Sequence, residues 1–217
     1  MKKVFISLGI LVLALIIVNG VNIKSNYSYK ISDNSKIKIN SGTGNINFTS
    51  NSKDSTLSGY FNHKIFSKIG FFQNSNEFNL TTSKVNGNVD LPKNTKFSEI
   101  SLALGAGNLD LDLKMTNVQE LLLSSGASNI RLVLPQDVSS KFNLAIGSGN
   151  LDLVIPMNGK IEGVKIISAS LTNMNLGEAW IKTSDGIQTK DFQKAKITSI
   201  IDLTKGGSVN LNITSIE

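Results

Sequence analysis

The chain of 217 residues contains no cysteine and one histidine, His63. The absence of cysteine excludes disulfides, thiol catalysis and zinc bound by cysteine. A single histidine cannot supply a multi-histidine metal site, and it restricts a Ser-His-Asp triad to that one residue. The sequence therefore predicts a protein that is not an enzyme and that has no catalytic residues, metal or cofactor. His63 itself is expected to be a surface or end-cap residue.

Proline and charge are also scarce, with 3 prolines, 18% charged residues and a single arginine, Arg131. Asparagine is common instead, with 25 residues against 16 aspartates and glutamates. The net charge of +6 lies towards the N-terminus, since residues 21–100 carry 10 lysines against 5 acids. A basic surface there favours an anionic polymer or anionic lipid, although lysines that only keep a protein soluble are the commoner case. The near-neutral C-terminal half argues against nucleic acid, and so does the export that the N-terminal residues indicate.

The N-terminal segment has the pattern of a targeting sequence. Met1-Lys2-Lys3 precedes fifteen uncharged residues, 4–18, as in the charged and apolar regions of a signal peptide. At about 1.5 Å per residue a helix of this run spans about 22 Å, short of the roughly 30 Å of a bilayer core. Val18-x-Gly20 is a weak cleavage site, which favours an uncleaved anchor. We expect 1–23 to be a signal peptide or membrane anchor, 24–34 a linker, and the body extracytoplasmic, tethered or secreted.

Three segments of the chain align without gaps at intervals of 21 residues, which is the signature of a repeat architecture. They begin at Leu102, Leu123 and Leu144, and the first reads Leu-Ala-Leu-Gly-Ala-Gly-Asn-Leu-Asp-Leu. A further Gly-x-Gly-Asn motif stands 63 residues, or three periods, before the first. The aligned glycines are Gly42, Gly105, Gly126 and Gly147. We predict that they form corners that need permissive backbone angles.

Apolar and polar residues alternate within each repeat, which is the period-2 pattern of a half-buried strand. One strand–corner–strand unit cannot bury its apolar face alone, whereas stacked units can. The sequence therefore predicts an all-β fold, a β-solenoid with about 21 residues per coil, over residues 35–217. Its inner ladders would be Leu109, Ile130 and Leu151, and Leu111, Leu132 and Leu153.

Two columns on the outer face follow from the same stacking. The first contains Asn108, Asn129 and Asn150. These would lie about 4.8 Å apart, where side-chain amides can bond to one another. In the second column Arg131 would separate Asp110 from Asp152, two carboxylates that would otherwise repel. An exposed ion pair contributes only a few tenths of a kcal/mol, so we interpret this column as register control.

The ends of the body are less regular than its middle. Residues 178–192 hold Trp180 and the turn signal Ser184-Asp185-Gly186, which predicts a hairpin. Residues 57–80 are rich in aromatic and basic side chains, which either close the end of the solenoid or contact a membrane or polymer. The residues of that candidate interaction surface are Tyr60, Phe61, Lys64, Phe66, Lys68, Phe71 and Phe72.

Three other chemistries have weak support. Gly105-Ala-Gly107 lacks the helix that a nucleotide-binding loop needs. The Gly-x-Gly-Asn-Leu-Asp motif does not recur every nine residues, as calcium-binding β-rolls do. Asp110 and Asp112 would stand about 6.6–7 Å apart, as in inverting glycosidases, but this spacing occurs on any polar strand face.

These motifs resemble the toast-rack family of bacterial adhesin-like proteins, which is related to the C-terminal domain of cell-envelope stress-response regulators. The motifs that carry the similarity are 104–111 (Leu-Gly-Ala-Gly-Asn-Leu-Asp-Leu), 122–138, 147–153 and the closing segments 191–203 and 207–211. The resemblance covers roughly residues 35–217 and is strongest over 100–156. The resemblance implies a right-handed single-stranded β-helix at the cell envelope, without catalytic residues.

We therefore expect an extracytoplasmic, membrane-tethered β-solenoid that acts as a non-catalytic binding, adhesion or scaffold module of the envelope. An envelope protein or an anionic envelope polymer would be its partner. An accessory regulator of a cell-envelope stress response and a secreted polysaccharide-binding protein remain as alternatives. The single apolar segment, where the stress regulators have several membrane spans, counts against direct signalling.

Overall fold

The computed structural model describes residues 22–52, 55–64, 69–74, 76–93, 95–156, 162–168 and 179–216. Within them the fold is all-β, an open fourteen-stranded sheet with one short 3-10 helix at Phe192–Lys194. The strands are β1 (Asn22–Lys30), β2 (Ser35–Ser52), β3 (Thr56–Lys64), β4 (Ile69–Asn74), β5 (Glu77–Pro92), β6 (Lys96–Asp112), β7 (Asn117–Val118), β8 (Glu120–Val133), β9 (Ser140–Pro156), β10 (Gly163–Ile167), β11 (Trp180–Thr183), β12 (Gly186–Thr189), β13 (Thr198–Asp202) and β14 (Ser208–Ile216). No helix in the described part is long and apolar enough to cross a membrane. The predicted apolar helix falls almost wholly on residues 1–21, outside that part.

Strands β2, β6, β8, β9 and β14 lie side by side in that order, parallel and in register. Both predicted inner ladders are present in this register, Leu109–Ile130–Leu151 and Leu111–Leu132–Leu153. Each of these side chains is at most 2% exposed. Burying one such side chain stabilises a fold by about 1.5–3 kcal/mol, so the ladders are a main source of stability.

Each long strand turns two arms towards the same core. In β6 the buried side chains nearest before Gly105 occupy even positions, Leu102 and Leu104, and those after it occupy odd positions, Leu109 and Leu111. Successive residues of a strand face opposite sides, so this change of parity means that the inward face switches between the arms. All four leucines belong to one hydrophobic core.

The stack departs from chain order at its N-terminal end. A solenoid that added one coil every 21 residues would leave two coils between Gly42 and Gly105. Instead β2 pairs in parallel with β6 on one side and with β5 on the other. The chain reaches β5 through β3 and β4, which pair antiparallel with it. The 21-residue coil therefore describes β6, β8 and β9, and not the whole of 35–217.

Antiparallel strands and aromatic side chains close this end. Strand β1 pairs antiparallel with β3 along its whole length, so the prediction of a linker at 24–34 is wrong for most of that range. Tyr27 of β1 stacks on Phe61 and Phe78, with ring centroids 5.1 and 5.4 Å away. Phe61 is a core residue, not part of a contact surface, because it faces the opposite side of β3 from Tyr60.

Strand β9 divides at the C-terminal end of the stack. Its first part pairs in parallel with β13 and its second part with β14. Strand β13 also pairs in parallel with β10. Strand β10 pairs in turn with β12, which forms a hairpin with β11. The turn between β11 and β12 falls at Ser184 and Asp185, before Gly186, which confirms the predicted hairpin.

The predicted corner glycines form one column. Glycine is required at these positions because adjacent coils pack closely, and not because the backbone angles there are unusual. A Cβ on Gly105 would lie 2.3 Å from the carbonyl oxygen of Gly42, and one on Gly126 would lie 2.4 Å from that of Gly105. Gly147 stands in the same relation to Gly126, again at 2.4 Å. The left-handed backbone angles occur two residues further on, at Gly44, Gly107 and Gly149. The absence of a side chain in the column lets adjacent coils approach each other.

Candidate binding groove

An open groove crosses the stacked strands on their polar side. It passes over β5, β2, β6, β8 and β9, residues of β3 form its wall at the N-terminal end, and its volume is about 490 Å³. Neighbouring strands lie about 4.8 Å apart, so five of them extend the groove over roughly 20 Å. Most of its polar lining consists of the amides of Asn45, Asn47, Asn62, Asn86, Asn108 and Asn129. We call it the asparagine groove.

One row of asparagines continues along the stack, and each amide is bonded to the next. The Nδ2 atom of Asn108 donates to Oδ1 of Asn45 at 2.8 Å, and that of Asn129 donates to Oδ1 of Asn108 at 3.1 Å. The series continues through Asn150, which donates to Asn129 at 2.7 Å, and Asn210, which donates to Asn150 at 3.0 Å. The predicted column is therefore confirmed, and it is longer than predicted because β2 and β14 join it.

A second row, two residues further along the strands, carries the charges. Asp110 lies opposite Arg131, which lies opposite Asp152, in the predicted register. The Nη1 atom of Arg131 donates to Oδ1 of Asp110 at 2.8 Å, with the two side chains 43% and 49% exposed. Asp152 accepts a hydrogen bond from Nδ2 of Asn212 at 3.2 Å. At this exposure an ion pair contributes at most about 1 kcal/mol, which fits a role in register.

Tyr60 stands in the wall that β3 provides. Its side chain is half-buried, and the ammonium nitrogen of Lys24 lies 4.0 Å from the ring centroid. This cation–π contact favours one orientation of the ring. Asn62 lies on the same face of β3 and opposite Asn86 of β5. The wall therefore adds an aromatic ring and a further amide to the rows of the coils.

The predicted interaction surface does not hold together as one patch. Tyr60 lines the groove, whereas Phe61 is buried in the core. Lys64 lies in β3, and Phe71 and Phe72 lie in β4, but their side chains are outside the described part of the chain. Phe66 and Lys68 lie outside the described residues altogether.

The groove combines residues that the repeat predicted with residues that it did not place there. Asn45 follows the same Gly-x-Gly motif as Asn108, so the motif was sufficient to find it. Asn62 and Tyr60 belong to β3, which is antiparallel and outside the repeat. No periodicity in the sequence could have brought them to the coils.

Among the described residues outside the groove lining, Tyr27, Asp185 and Asp202 have pKa values displaced from their ordinary ones. Burial, followed by the nearby carboxylate of Asp90, raises the pKa of Tyr27. A hydrogen bond from Lys165, with 2.7 Å between Nζ and Oδ2, is the main cause that lowers the pKa of Asp185. Within the described residues no group of three or more histidines or carboxylates is arranged to hold a metal ion. The groove itself offers amides, one aromatic ring, one ion pair and a further carboxylate.

The fold and the groove together define an all-β module of mainly parallel strands that presents polar groups along an open groove. A family model described as the N-terminal domain of toast_rack matches residues 18–155. The chain therefore belongs to the toast-rack family, as its repeat motifs indicated.

Similarity to solved structures bears on the fold of the chain. The chain is similar to a candidate cell adhesion protein from Clostridium sporogenes, with 18% identity, a TM-score of 0.70, and coverage of 90% of this chain and 100% of that one. Candidate adhesins from Bacteroides fragilis (13% identity, 89% and 97% coverage, TM-score 0.27) and Parabacteroides distasonis (9% identity, 91% and 98% coverage, TM-score 0.31) also match. Those two TM-scores are too low to carry an argument, and the Clostridium structure supports the fold alone. No curated protein matches the chain.

Proposed function

We propose that this protein is an extracytoplasmic, non-catalytic binding module of the bacterial cell envelope, held at the membrane by its N-terminal segment. Its coils, wound in the right-handed sense that the family resemblance implies, form a rigid body. The asparagine groove is the surface on which an envelope partner docks. The name of the Clostridium relative, a candidate cell adhesion protein, supports adhesion as the use of this surface.

The groove is the observation that carries this proposal. Its volume of about 490 Å³ lies within the range of ligand-binding sites, about 300–1,000 Å³, and polar groups from six strands converge on it. Because these groups stand on a hydrogen-bonded sheet, little conformational entropy is lost when they meet a partner. Preorganised polar groups of this kind suit recognition.

Sedimentation with cell-envelope fragments tests the binding role. The full chain, labelled with a fluorophore and kept in a non-ionic detergent, is spun down with fragments at increasing concentration. We expect saturable binding, and about tenfold weaker binding by the double variant Asn108→Ala/Asn129→Ala. The matched control is Asn143→Ala, which removes an amide bonded to Glu120 outside the groove. Wild-type protein that stays in solution would contradict the binding role. A double variant that binds as the wild type does would show that binding does not depend on the groove.

The intact mass of the mature protein tests the tether. A mass that retains residues 1–20, found in the membrane fraction alone, is the expected result. A mass that begins near residue 21, found in the medium, would contradict the tether and make this a secreted protein.

A further inference from the structure

We infer that the asparagine groove binds a chain of a neutral, hydroxyl-rich polysaccharide that lies along the stack of coils. This inference deepens the proposed binding role and rests on it. Three properties of the groove support it: its spare hydrogen-bonding groups, its aromatic wall and its balance of charge.

The amide row has hydrogen-bonding groups to spare. An asparagine side chain has two N–H donors and an oxygen with two lone pairs. Asn108 and Asn129 each donate one N–H to the preceding amide and accept one from the next. One donor and one acceptor of each amide therefore remain for a ligand, side by side. A hydroxyl group both donates and accepts, so it matches this pair.

The spacing of the row favours a polymer over a single sugar. The same amide recurs on adjacent coils, about 4.8 Å apart across the strands. A ligand that repeats along its own length can bond to several amides in turn, whereas a monosaccharide can reach only one or two. The groove is open and crosses five strands, so a chain can lie in it without being enclosed.

Tyr60 supplies the apolar contact that sugar rings need. Carbon-bound hydrogens on one side of a sugar ring form an apolar surface, and an aromatic ring can pack against it. The ring of Tyr60 lines the groove at its wall, and Lys24 holds it from one side. Asn62 lies two residues along β3 on the same face and also lines the groove. The wall thus combines stacking with hydrogen bonding.

The charge of the groove argues against a polyanion. The side chain of Arg131 is committed to Asp110, and Asp152 adds a second carboxylate to the same row. With the ammonium of Lys24 at the wall, two positive charges balance two negative ones. A polyanion would gain no net attraction and would meet two carboxylates, whereas a neutral chain meets no such penalty.

Affinity electrophoresis tests the inference with defined probes. The full chain, in a detergent that carries no sugar headgroup, migrates through gels that contain dextran, glucomannan or hydroxyethylcellulose as neutral polymers, or polygalacturonate or teichoic acid as polyanions. We expect retardation by at least one neutral polymer, with the dissociation constant nearly unchanged between low and high salt, since no charge pairing is involved. The polyanions should retard the chain weakly, and less in high salt.

Four variants connect that retardation to the groove. Tyr60→Ala and Asn129→Ala should each weaken binding about tenfold, whereas Tyr60→Phe, which keeps the ring, should bind within about twofold of wild type. The control is Asn210→Ala, which belongs to the same row but lies outside the groove lining. These positions are half-buried or exposed, and thermal unfolding verifies that each variant is folded.

The outcomes separate the inference from the proposed role. Retardation by polyanions alone, lost in the groove variants, would overturn the neutral ligand and leave the binding role in place. No retardation by any polymer, combined with groove-dependent binding to envelope fragments, would overturn a polysaccharide in favour of a protein partner. Groove variants that bind neutral polymers as the wild type does would overturn the assignment of the site.

Discussion

The coils of β6, β8 and β9 and the N-terminal end formed by β1, β3 and β5 contribute to one core by different means. In the coils, most inner positions have an aliphatic neighbour at the same position of the next coil, as in Leu111, Leu132 and Leu153. At the N-terminal end, the strands are antiparallel, and Phe61 and Phe78 both stack on Tyr27. The coils gain stability by repetition, and the end gains it from a single arrangement of large side chains.

The difference follows from what each region must do. A coil meets another coil on both sides, so its contacts can be the same above and below. The end must stop the stack, because an open strand edge can pair with another chain. Strand β1 meets that need with the exposed lysines Lys24 and Lys30, since charged side chains discourage further pairing. Repetition and termination therefore require different residues.

Breaking a ladder inside a coil should have the largest effect. Leu132→Asp places a charge at a position that is 0% exposed, between two leucines. We expect the variant to lose more than about 4 kcal/mol and to be unfolded by circular dichroism. The control is Ser124→Asp at an exposed position of the same strand. If Leu132→Asp unfolded at the urea concentration of the wild type, the ladders would not carry the core.

Widening the space between coils should have the next largest effect. Gly147→Ala places a Cβ 2.4 Å from the carbonyl oxygen of Gly126, so the two coils must separate. We expect a loss of about 1–3 kcal/mol in the free energy of unfolding, measured with urea. Ser148→Ala, at the next and exposed position, is the control and should change little. Equal stability of both variants would mean that the glycine column is not required for close stacking.

Tyr27, at the N-terminal end, should make the free energy of unfolding depend on pH in the alkaline range. The pKa of Tyr27 is raised in the folded state, so the folded protein keeps a proton that the unfolded chain releases above about pH 10. The unfolded state then binds fewer protons, and stability falls by up to about 1.4 kcal/mol per pH unit as the pH rises. Below pH 10 this contribution is fully present.

Urea unfolding at pH 9, 10 and 11 measures that contribution. Tyr27→Phe should lose stability less steeply above pH 10 than the wild type, although it is less stable at neutral pH by about 1 kcal/mol because the hydroxyl donates to the carbonyl oxygen of Asn88. Tyr60→Phe, a half-buried tyrosine in the groove wall, is the control and should keep the wild-type slope. Parallel slopes for wild type and Tyr27→Phe would contradict the assignment.

The smallest effect is expected on the outer face of the coils. Arg131→Ser breaks an exposed ion pair and should reduce stability by less than about 1 kcal/mol, with the loss shrinking in high salt. Lys182→Ser, at an exposed position of β11, is the control for loss of a positive charge. A loss above about 3 kcal/mol for Arg131→Ser would indicate a buried charge instead.

The difference between the coils and the N-terminal end also determines how much of the fold could be predicted from the sequence. The ladders and the asparagine row could be predicted because a 21-residue repeat with alternating apolar positions fixes both the strand and the register. Strand β1 could not, because Asn22–Lys30 contains mostly polar residues and its only strong signals are Tyr27 and Tyr29. The position of β5 also escaped prediction, since Asn86-Gly87-Asn88 indicates a coil but not the side of β2 on which it lies.

The groove residues that lie on the coils could be predicted from the sequence, whereas those of the wall on β3 could not. Asn108 and Asn129 follow from the repeat, and so do Asp110 and Arg131 in the second row. Tyr60 was singled out for its aromatic ring, but its neighbours in the sequence drew attention to a patch that includes the buried Phe61. The wall depends on the antiparallel pairing of β3 with β5. A repeat of stacked coils predicts parallel pairing, so it does not predict this contact.

Because of the glycine column, the stack could be lengthened or shortened by whole coils. Each coil offers the next one the same carbonyl oxygens, the same small residue and the same amide, as Gly105, Gly126 and Gly147 illustrate. Duplication of one 21-residue unit between β8 and β9 would add about 4.8 Å of sheet and one amide to the row, and neither end would have to change. A version of this chain with one more coil would therefore reach further by one strand spacing, while the strands at both ends stayed the same.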